Sequence, residues 1–422
     1  MSALVVADGD QIAAFQGRYR TPSVEEIDPS FIHMHPAVME RSDFEALEEY
    51  NEPVEPRVIE AFDYEAQAQA PVEAAEEFVA TIRNRLGRLP EVYDKVFEIM
   101  RSKRFRAGTA SQTRFDENKD LFRPIIEAQI AQGAPLEFVL PSFPFKHNNP
   151  VKVSRRSPDM AEVLCICRLK EICHAISRVY DPGARFVIIS DGMVYHDMFG
   201  VTKHEALSYR ERAREMVGQL GFDDVIEVTD MEELVHSRQE LFDFVRERLT
   251  PVFGEWWHRS SEDLRRASLI QASAANLNTA DSVTHDLVQM ATKDVLLDTD
   301  EDDDLSTLET IKSQTVQRAE KGAFEFALFL YVLREIDLVQ SCYPRAVRAT
   351  VHPKPTQWGL HLVNRESRVF PWQGVAYRNE HGRWRVKYEF EVTRARATPV
   401  HVRGEDEMFA FYYEHSEEPR AR

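Results

Sequence analysis

At 422 residues, 43% hydrophobic and 29% charged, the chain has the make-up of a globular protein with one large or two ordinary domains. A net charge of -19 argues against nucleic acid or an anionic membrane as the main partner, while leaving room for a local basic pocket that holds a small phosphate. No apolar run approaches the roughly 18 to 20 residues of a membrane span, residues 1–20 lack a signal-peptide pattern, and four cysteines are too few for a disulfide scaffold, so a reducing cytoplasmic location is expected.

Residues 1–72 read as a proline-rich acidic arm with short helices, in which Pro22, Pro29, Pro36, Pro53, Pro56 and Pro71 break any long periodic segment. Residues 73–422 read as the main domain. Two helices are expected over 73–101, broken at Gly87 to Pro90, followed by a short strand at 137–140. Residues 160–180 predict a helix that is apolar around nearly its whole circumference and therefore buried. Phe186-Val-Ile-Ile189 is the continuous apolar run of a strand covered on both faces.

Thr202-Lys-His-Glu205 has capping-box spacing and opens a helix; residues 225–228 form the next strand, and Thr229-Asp-Met-Glu232 repeats the capping-box spacing. This alternation predicts an α/β protein with a Rossmann-like, largely parallel sheet flanked by helices. Residues 253–337 read as helical, interrupted by an acidic loop at 298–304. Strand-like pieces at 346–351, 358–363, 374–378 and 384–392 are expected to extend or flank the main sheet.

Open parallel sheets bind ligands beyond the carboxyl ends of their strands. Leu140 ends one strand and Pro141-Ser-Phe-Pro-Phe-Lys146 follows; Ile189 ends the next and Ser190-Asp191-Gly192 follows. A loop stiffened by Pro141 and Pro144 that presents Lys146 beside Asp191 suits phosphate binding or proton transfer. The plainer alternative makes Phe143 and Phe145 core anchors and Lys146 a solvated cation. On a strand, Arg348, Thr350 and His352 share one face, where they could hold a phosphate and shuttle a proton, or merely form the polar face of an edge strand.

The run Leu140-Pro-Ser-Phe-Pro-Phe-Lys146 resembles the hallmark of the pyoverdine/dityrosine biosynthesis family, the isocyanide (isonitrile) synthases. Further blocks follow in the family's order: Pro158-Asp159-Met-Ala-Glu162 with Arg168-Leu169, Tyr180-Asp-Pro-Gly183 leading to Ser190-Asp191-Gly192-Met-Val-Tyr-His-Asp197, and Val347-Arg348-Ala-Thr-Val-His352-Pro353 with Pro371-Trp372. The resemblance covers roughly residues 80 to 380, and Gln373 stands where the family form has His. It implies a Rossmann-like enzyme that converts the α-amine of an amino acid, tyrosine or tryptophan, into an isocyanide. The carbon comes from ribulose 5-phosphate as co-substrate, with no metal or redox cofactor.

Motif position then makes Lys146, Arg348 and Lys354 the phosphate-binding candidates. Asp191, Asp197 and His352 are the acid/base candidates, and Ser142 and Ser190 the substrate-binding hydroxyls. The implied partners are the amino acid, the sugar phosphate and a downstream iron/2-oxoglutarate oxygenase acting on the product, without nucleic acid or membrane. Competing readings are a tyrosine-modifying dityrosine-precursor enzyme of the same family, a non-catalytic relative that binds amino acid or sugar phosphate, and a nucleotide-dependent Rossmann-like enzyme. The last lacks any Gly-x-Gly-x-x-Gly at a strand end.

Other features carry less. Cys165, Cys167 and Cys173 on one helix read as core thiols, and Trp256-Trp257 as core or interface. Asp298, Asp300, Asp302 and Glu309 have calcium-loop spacing, but Asp303 stands where the sharp turn needs Gly. His33-Met34-His35 in the arm reads as incidental.

Overall fold

In a computed structural model of the protein, the described residues are 9–28, 54–107, 116–146, 152–260, 263–274, 301–351, 356–367, 369–405 and 409–416. The strands among them are β1 (Arg57–Ile59), β2 (Leu136–Ser142), β3 (Ala184–Ser190), β4 (Ile226–Asp230), β5 (Val347–Thr350), β6 (Trp358–Gly359), β7 (Val375–Arg378), β8 (Trp384–Lys387), β9 (Thr398–Val402) and β10 (Tyr412–Glu414). They form two five-stranded sheets, ordered β4-β3-β2-β5-β6 and β1-β9-β10-β7-β8. Every pairing in the first is parallel. The second is mixed, with β1/β9 and β10/β7 parallel and β9/β10 and β7/β8 antiparallel.

The parallel sheet is buried on both faces, as its unbroken apolar strands require. Phe138, Leu140, Phe186, Ile188, Val347 and Ala349 point into one core with the helices Tyr64–Leu86, Met160–Ser177 and Lys203–Gln219. Val139, Val187 and Ile189 point into another with the helices Met231–His236, Gln239–Arg259 and Glu301–Glu335. The Met160–Ser177 helix touches β3 and β4 of one sheet and β7 of the other, and the Tyr64–Leu86 helix packs along it. That position explains why fourteen of its 18 residues are buried. Cys165, Cys167, Cys173 and Cys342 are free and buried, and burial pushes the Cys167 and Cys173 thiols up to about 12. Trp256 and Trp257 are core residues.

Several elements depart from expectation. The first long helix begins at Tyr64, capped by the Asp63 side chain accepting from the Ala66 amide at 2.8 Å, and it runs through Pro71. Packing along its buried neighbour outweighs the lost backbone donor. The expected break at Gly87 to Pro90 is present, the next helix being Val92–Met100. Before the Met231–His236 helix the cap is Asp230, accepting from Glu233 at 2.7 Å, not Thr229, because β4 extends through Asp230. Among the C-terminal pieces, β5 and β6 join the parallel sheet, β7 to β10 build the separate one, and residues beyond Lys387 turn into the Glu389–Arg394 helix. β1, from the proline-rich arm, pairs with β9.

Glu301–Glu335 is one helix, so Asp302 and Glu309 of the calcium-loop spacing lie on a helix and not in a loop; Asp298, Asp300 and His33-Met34-His35 fall outside the described residues. Among the described residues no helix is long and apolar enough to cross a membrane.

Trp358 of β6 is fully buried and meets the rings of Phe97, Phe122 and Phe138 at centroid distances of 6.0, 4.9 and 6.1 Å. Trp358→Ala is expected to lower unfolding free energy by about 3–5 kcal/mol, and Trp358→Phe by clearly less. Urea unfolding measures both; equal losses would show that the ring stack is not what holds the sheet edge.

Candidate functional site

Because the sheet is parallel, all its carboxyl ends lie on one edge, and the register sets Ser142, Ser190 and Asp230 in one row there. The chain leaves β2 and β3 through helices on one face and travels from β4 to β5 through helices on the other. The topological switch point, where such sheets leave a crevice for ligand, is therefore between β2 and β5.

The two sequence-predicted loops meet at this edge. Ser190 Oγ donates to the Phe143 carbonyl at 2.9 Å. A Cβ on Gly192 would lie 2.0 Å from the Pro144 carbonyl oxygen, so only glycine lets the loops approach this closely. Phe143 has φ 61°, in the left-handed region, and is buried against Trp372 with ring centroids 5.7 Å apart. Phe145 is buried against Phe199 at 5.7 Å. The aromatic residues of the loop are thus core anchors, as the plainer reading held.

Lys146 is not solvated. Its side chain is 0% exposed, and Nζ lies 2.9 Å from the Pro371 and Gly374 carbonyls, 3.0 Å from Asp159 Oδ2 and 2.9 Å from Glu162 Oε2. Three ammonium protons face four acceptors, which leaves no donor for a phosphate, and two adjacent carboxylates would repel one. Asp159 and Glu162 form the capping box of the Met160–Ser177 helix. Glu162 also accepts from the Tyr209 hydroxyl at 3.0 Å. Burial raises the Glu162 carboxyl to about 7, with Lys146 pulling down and Asp159 pushing up. Burial and the Glu162 charge hold the Tyr209 phenol well above its usual range.

The other predicted residues spread along the edge. Ser142 Oγ donates to its neighbour carbonyl Leu140 at 3.3 Å and is buried. Asp191 precedes the short Gly192–Tyr195 helix, and its charge adds to burial in holding the Tyr195 phenol up. Asp197 is 88% exposed, 3.3 Å from His196 Nδ1, at a groove of about 300 Å3. Met193, Phe326 and Phe329 give that groove apolar walls, and Arg246, Arg318 and Lys321 bring cations to it.

Arg348 lies in register with Val139 on β5, its Nη1 3.9 Å from Asp337 and its buried Nε without an acceptor. Burial depresses its guanidinium, with Asp337 opposing. Val347 and Ala349 enter the core on the opposite face, as strand alternation predicted. His352 and Lys354 lie outside the described residues.

Sequence reasoning quoted Asp159 and Glu162 as motif residues but gave them no task. The available signal was a capping box of two carboxylates opening a helix that has no polar face to receive them. It also passed over Arg101-Ser-Lys-Arg-Phe-Arg106, a basic run in an acidic chain. Arg106 is 2% exposed, and its Nε and Nη1 have no hydrogen-bond partner.

Lys146→Met would leave two buried carboxylates facing each other and should cost about 3–5 kcal/mol of stability, part of it recovered by adding Glu162→Gln. The pH dependence has a definite sign. Glu162 rises in the folded state from 4.5 to about 7, so its contribution is fully present below about 4.5 and is lost as pH climbs through 7. The stability of the protein relative to its Glu162→Gln variant should therefore fall between pH 5 and 8 in urea unfolding. A difference that ignores pH would rule this account out.

Comparison with known proteins places this architecture. A family model described as pyoverdine/dityrosine biosynthesis protein matches residues 126–400. The L-tyrosine isonitrile synthase of Xenorhabdus nematophila is 26% identical over 325 residues, which span 75% of this chain and 90% of that protein. The L-tyrosine isonitrile synthase of Pseudomonas aeruginosa is 29% identical over 280 residues, 65% of this chain and 78% of that one. An L-tryptophan isonitrile synthase of Fischerella ambigua is 26% identical over 237 residues, 56% of this chain and 65% of that one. The crystal structure of the PvcA protein from Pseudomonas aeruginosa superposes with a TM-score of 0.57 at 23% identity, covering 77% of this chain and 100% of that one, and so has the same fold. With its whole parallel sheet and both carboxyl-edge loops inside the matched segment, the chain belongs to the pyoverdine/dityrosine biosynthesis family of isocyanide synthases.

Proposed function

We propose that the protein converts the α-amine of an aromatic amino acid, tyrosine or tryptophan, into an isocyanide whose carbon is taken from C2 of ribulose 5-phosphate. The observation that carries this reading is that the family match contains the entire catalytic edge of the sheet, β2 to β6 with their loops. The names of the relatives, synthases of L-tyrosine and L-tryptophan isonitriles, supply the substrate class.

The chemistry begins with an ammonium that must lose a proton, attack a ketone and expel water to give an imine. It needs a base, an acid and a cation for the phosphate. The groove beside Asp197 suits an aromatic amino acid: Phe326, Phe329 and Met193 face the ring, a cation such as Lys321 faces the carboxylate, and Asp197 takes the ammonium proton. Asp191 and His352 remain the acid/base candidates on the sugar, Ser142 and Ser190 the hydroxyls near it, and Arg348 and Lys354 the cations flanking β5. Lys146, enclosed behind the loop, holds that loop in place and does not meet substrate. The reading needs no metal or redox cofactor, and it makes an iron/2-oxoglutarate oxygenase the class of enzyme that would consume the product. Four free, buried thiols suit the reducing cytoplasm.

The test is incubation of the full chain with ribulose 5-phosphate labelled with carbon-13 at C2 and with tyrosine, tryptophan and other amino acids in turn. Label should appear in a product with an isocyanide stretch; no labelled product from any amino acid overturns the proposal. In the same assay Asp197→Asn should lower kcat/KM for the amino acid by roughly 10²-fold or more, the contribution of a positioned base. An unchanged kcat/KM would remove Asp197 from the mechanism.

A further inference from the structure

Arg101-Ser-Lys-Arg-Phe-Arg106 follows the Val92–Met100 helix and borders a cavity of about 610 Å3. Arg85, Arg101, Lys103, Arg104 and Arg106 line it against one carboxylate, Glu98. The acids nearby are already engaged. Glu98 pairs with Arg85 at 2.8 Å and Arg101 at 3.5 Å, Asp116 pairs with Arg101 at 3.5 Å, and Glu171 pairs with Arg104 and Arg168. Among the described residues Lys103 and Arg106 form no ion pair. Arg106 is 2% exposed with Nε and Nη1 lacking any acceptor, and the buried Ser102 Oγ beside it lacks one too.

A buried guanidinium with two N–H groups lacking acceptors, pressed by the charges of Arg365 and Arg101 and opposed only partly by Asp116, is a poor arrangement unless an anion completes it. The positive potential is felt next door: besides burial, the charges of Arg365, Arg168 and Arg106 push the His361 imidazole down. A fork of guanidinium donors, a hydroxyl and several further cations match a tetrahedral dianion better than a single carboxylate.

The cavity also lies where a substrate would end. Arg106 bridges Leu360, the residue after β6, with Ala107 N donating to the Gly359 carbonyl at 3.0 Å and His361 N to the Phe105 carbonyl at 2.7 Å. Leu360 N in turn donates to the carbonyl of Thr350, the last residue of β5, at 2.8 Å. The Arg106 segment therefore continues the strand order outward at the carboxyl edge, on the same edge as the Pro141 to Lys146 loop.

The geometry points to a phosphomonoester-binding site at Arg106 and Ser102, ringed by Arg101, Lys103 and Arg104, and distinct from the Lys146 enclosure. That its natural ligand is the phosphate end of ribulose 5-phosphate rests on the proposed reaction; the binding of a phosphate monoester does not.

Calorimetric titration of the full chain, without amino acid, compares inorganic phosphate, ribulose 5-phosphate and unphosphorylated ribulose. Ribulose 5-phosphate should bind at least about tenfold more tightly than ribulose. Arg106→Gln should weaken it roughly 30-fold or more and Ser102→Ala several-fold, as expected for lost charge-assisted and neutral hydrogen bonds to the anion. Circular dichroism checks folding, and Lys103→Gln, at an exposed position, serves should Arg106→Gln fail to fold; it should weaken binding several-fold and flatten the salt dependence. Arg106-dependent binding of inorganic phosphate alone supports the anion site and assigns it to free phosphate. Equal affinity of wild type and the folded variants for ribulose 5-phosphate, or no binding of either phosphate species, overturns the site. Turnover that survives Arg106→Gln with unchanged KM for the sugar phosphate overturns the placement while leaving the reaction standing. Phosphate binding without any turnover overturns the reaction while leaving the phosphomonoester site standing.

Discussion

One buried ammonium ties the structure together. Lys146 Nζ joins three stretches far apart in sequence: the loop after β2, the first turn of the Met160–Ser177 helix, and the Pro371 to Gly374 turn that leads into β7. Taking a charge of this kind out of water is costly, and the cost is offset only where acceptors surround it closely. Here they do, and the two carboxylates work twice. Asp159 accepts from the Ala161 amide at 2.7 Å, and Glu162 from the Asp159 amide at 2.9 Å, so they cap the helix they belong to while holding the lysine. One cation against two acids leaves an excess of negative charge in a dry place. Burial and that excess together lift the Glu162 carboxyl.

The consequence for the edge of the sheet is rigidity. A phenylalanine in the left-handed region, as Phe143 is at φ 61°, costs of order 1–3 kcal/mol and persists only if its surroundings over-determine it. They do so from three directions. Ser190 donates to its carbonyl, Trp372 covers its ring, and Lys146 fixes the end of the loop three residues on. Gly192 closes against Pro144 from the next strand. The loop that resembled a ligand-gripping finger is instead a fixed wall, and the groups left facing the crevice belong to its neighbours.

Much of the fold was legible because apolar runs and capping boxes are local signals. The runs at 137–140 and 186–189 became β2 and β3, and Thr202 with Glu205 capped the helix expected of them. What local pattern could not show was which elements share a sheet. The pieces that became β7 and β8 look like extensions of the main sheet, yet they join β9 and β10, which the sequence reading did not identify, and β1 pairs with β9 across more than 300 residues of chain, as Arg57 against Val400 illustrates. Proline content made residues 54–72 look irregular, although packing along Met160–Ser177 holds a helix through Pro71.

For the site, position was legible and partnership was not. Ser142, Ser190 and Asp191 do stand at the carboxyl edge, and strand register alone required it. Lys146 looked available because nothing in a linear sequence says that Asp159 and Glu162 fold back onto it. Arg106 looked like surface because a basic run usually is, and only burial without partners distinguishes it.

The placement of the two cavities has a further consequence for an acidic protein. At physiological ionic strength charges more than about 8 Å apart are largely screened, so an approaching anion senses the cations at the Arg106 cavity more than the chain's net charge of -19. The Asp197 groove begins beyond β3 and the Arg106 cavity beyond β6, with β2 and β5 between them in the sheet. Counted along the sheet to the Arg106 segment, which pairs outside β6, the four strand intervals are about 19 Å. On the proposed chemistry the amine entering from one side and the ketone held from the other meet over the switch point. That crevice is walled by the loop Lys146 fixes. On that proposal, a rigid wall beside two separately anchored substrates favours condensation, because it holds amine and ketone in alignment while an acid and a base move the protons.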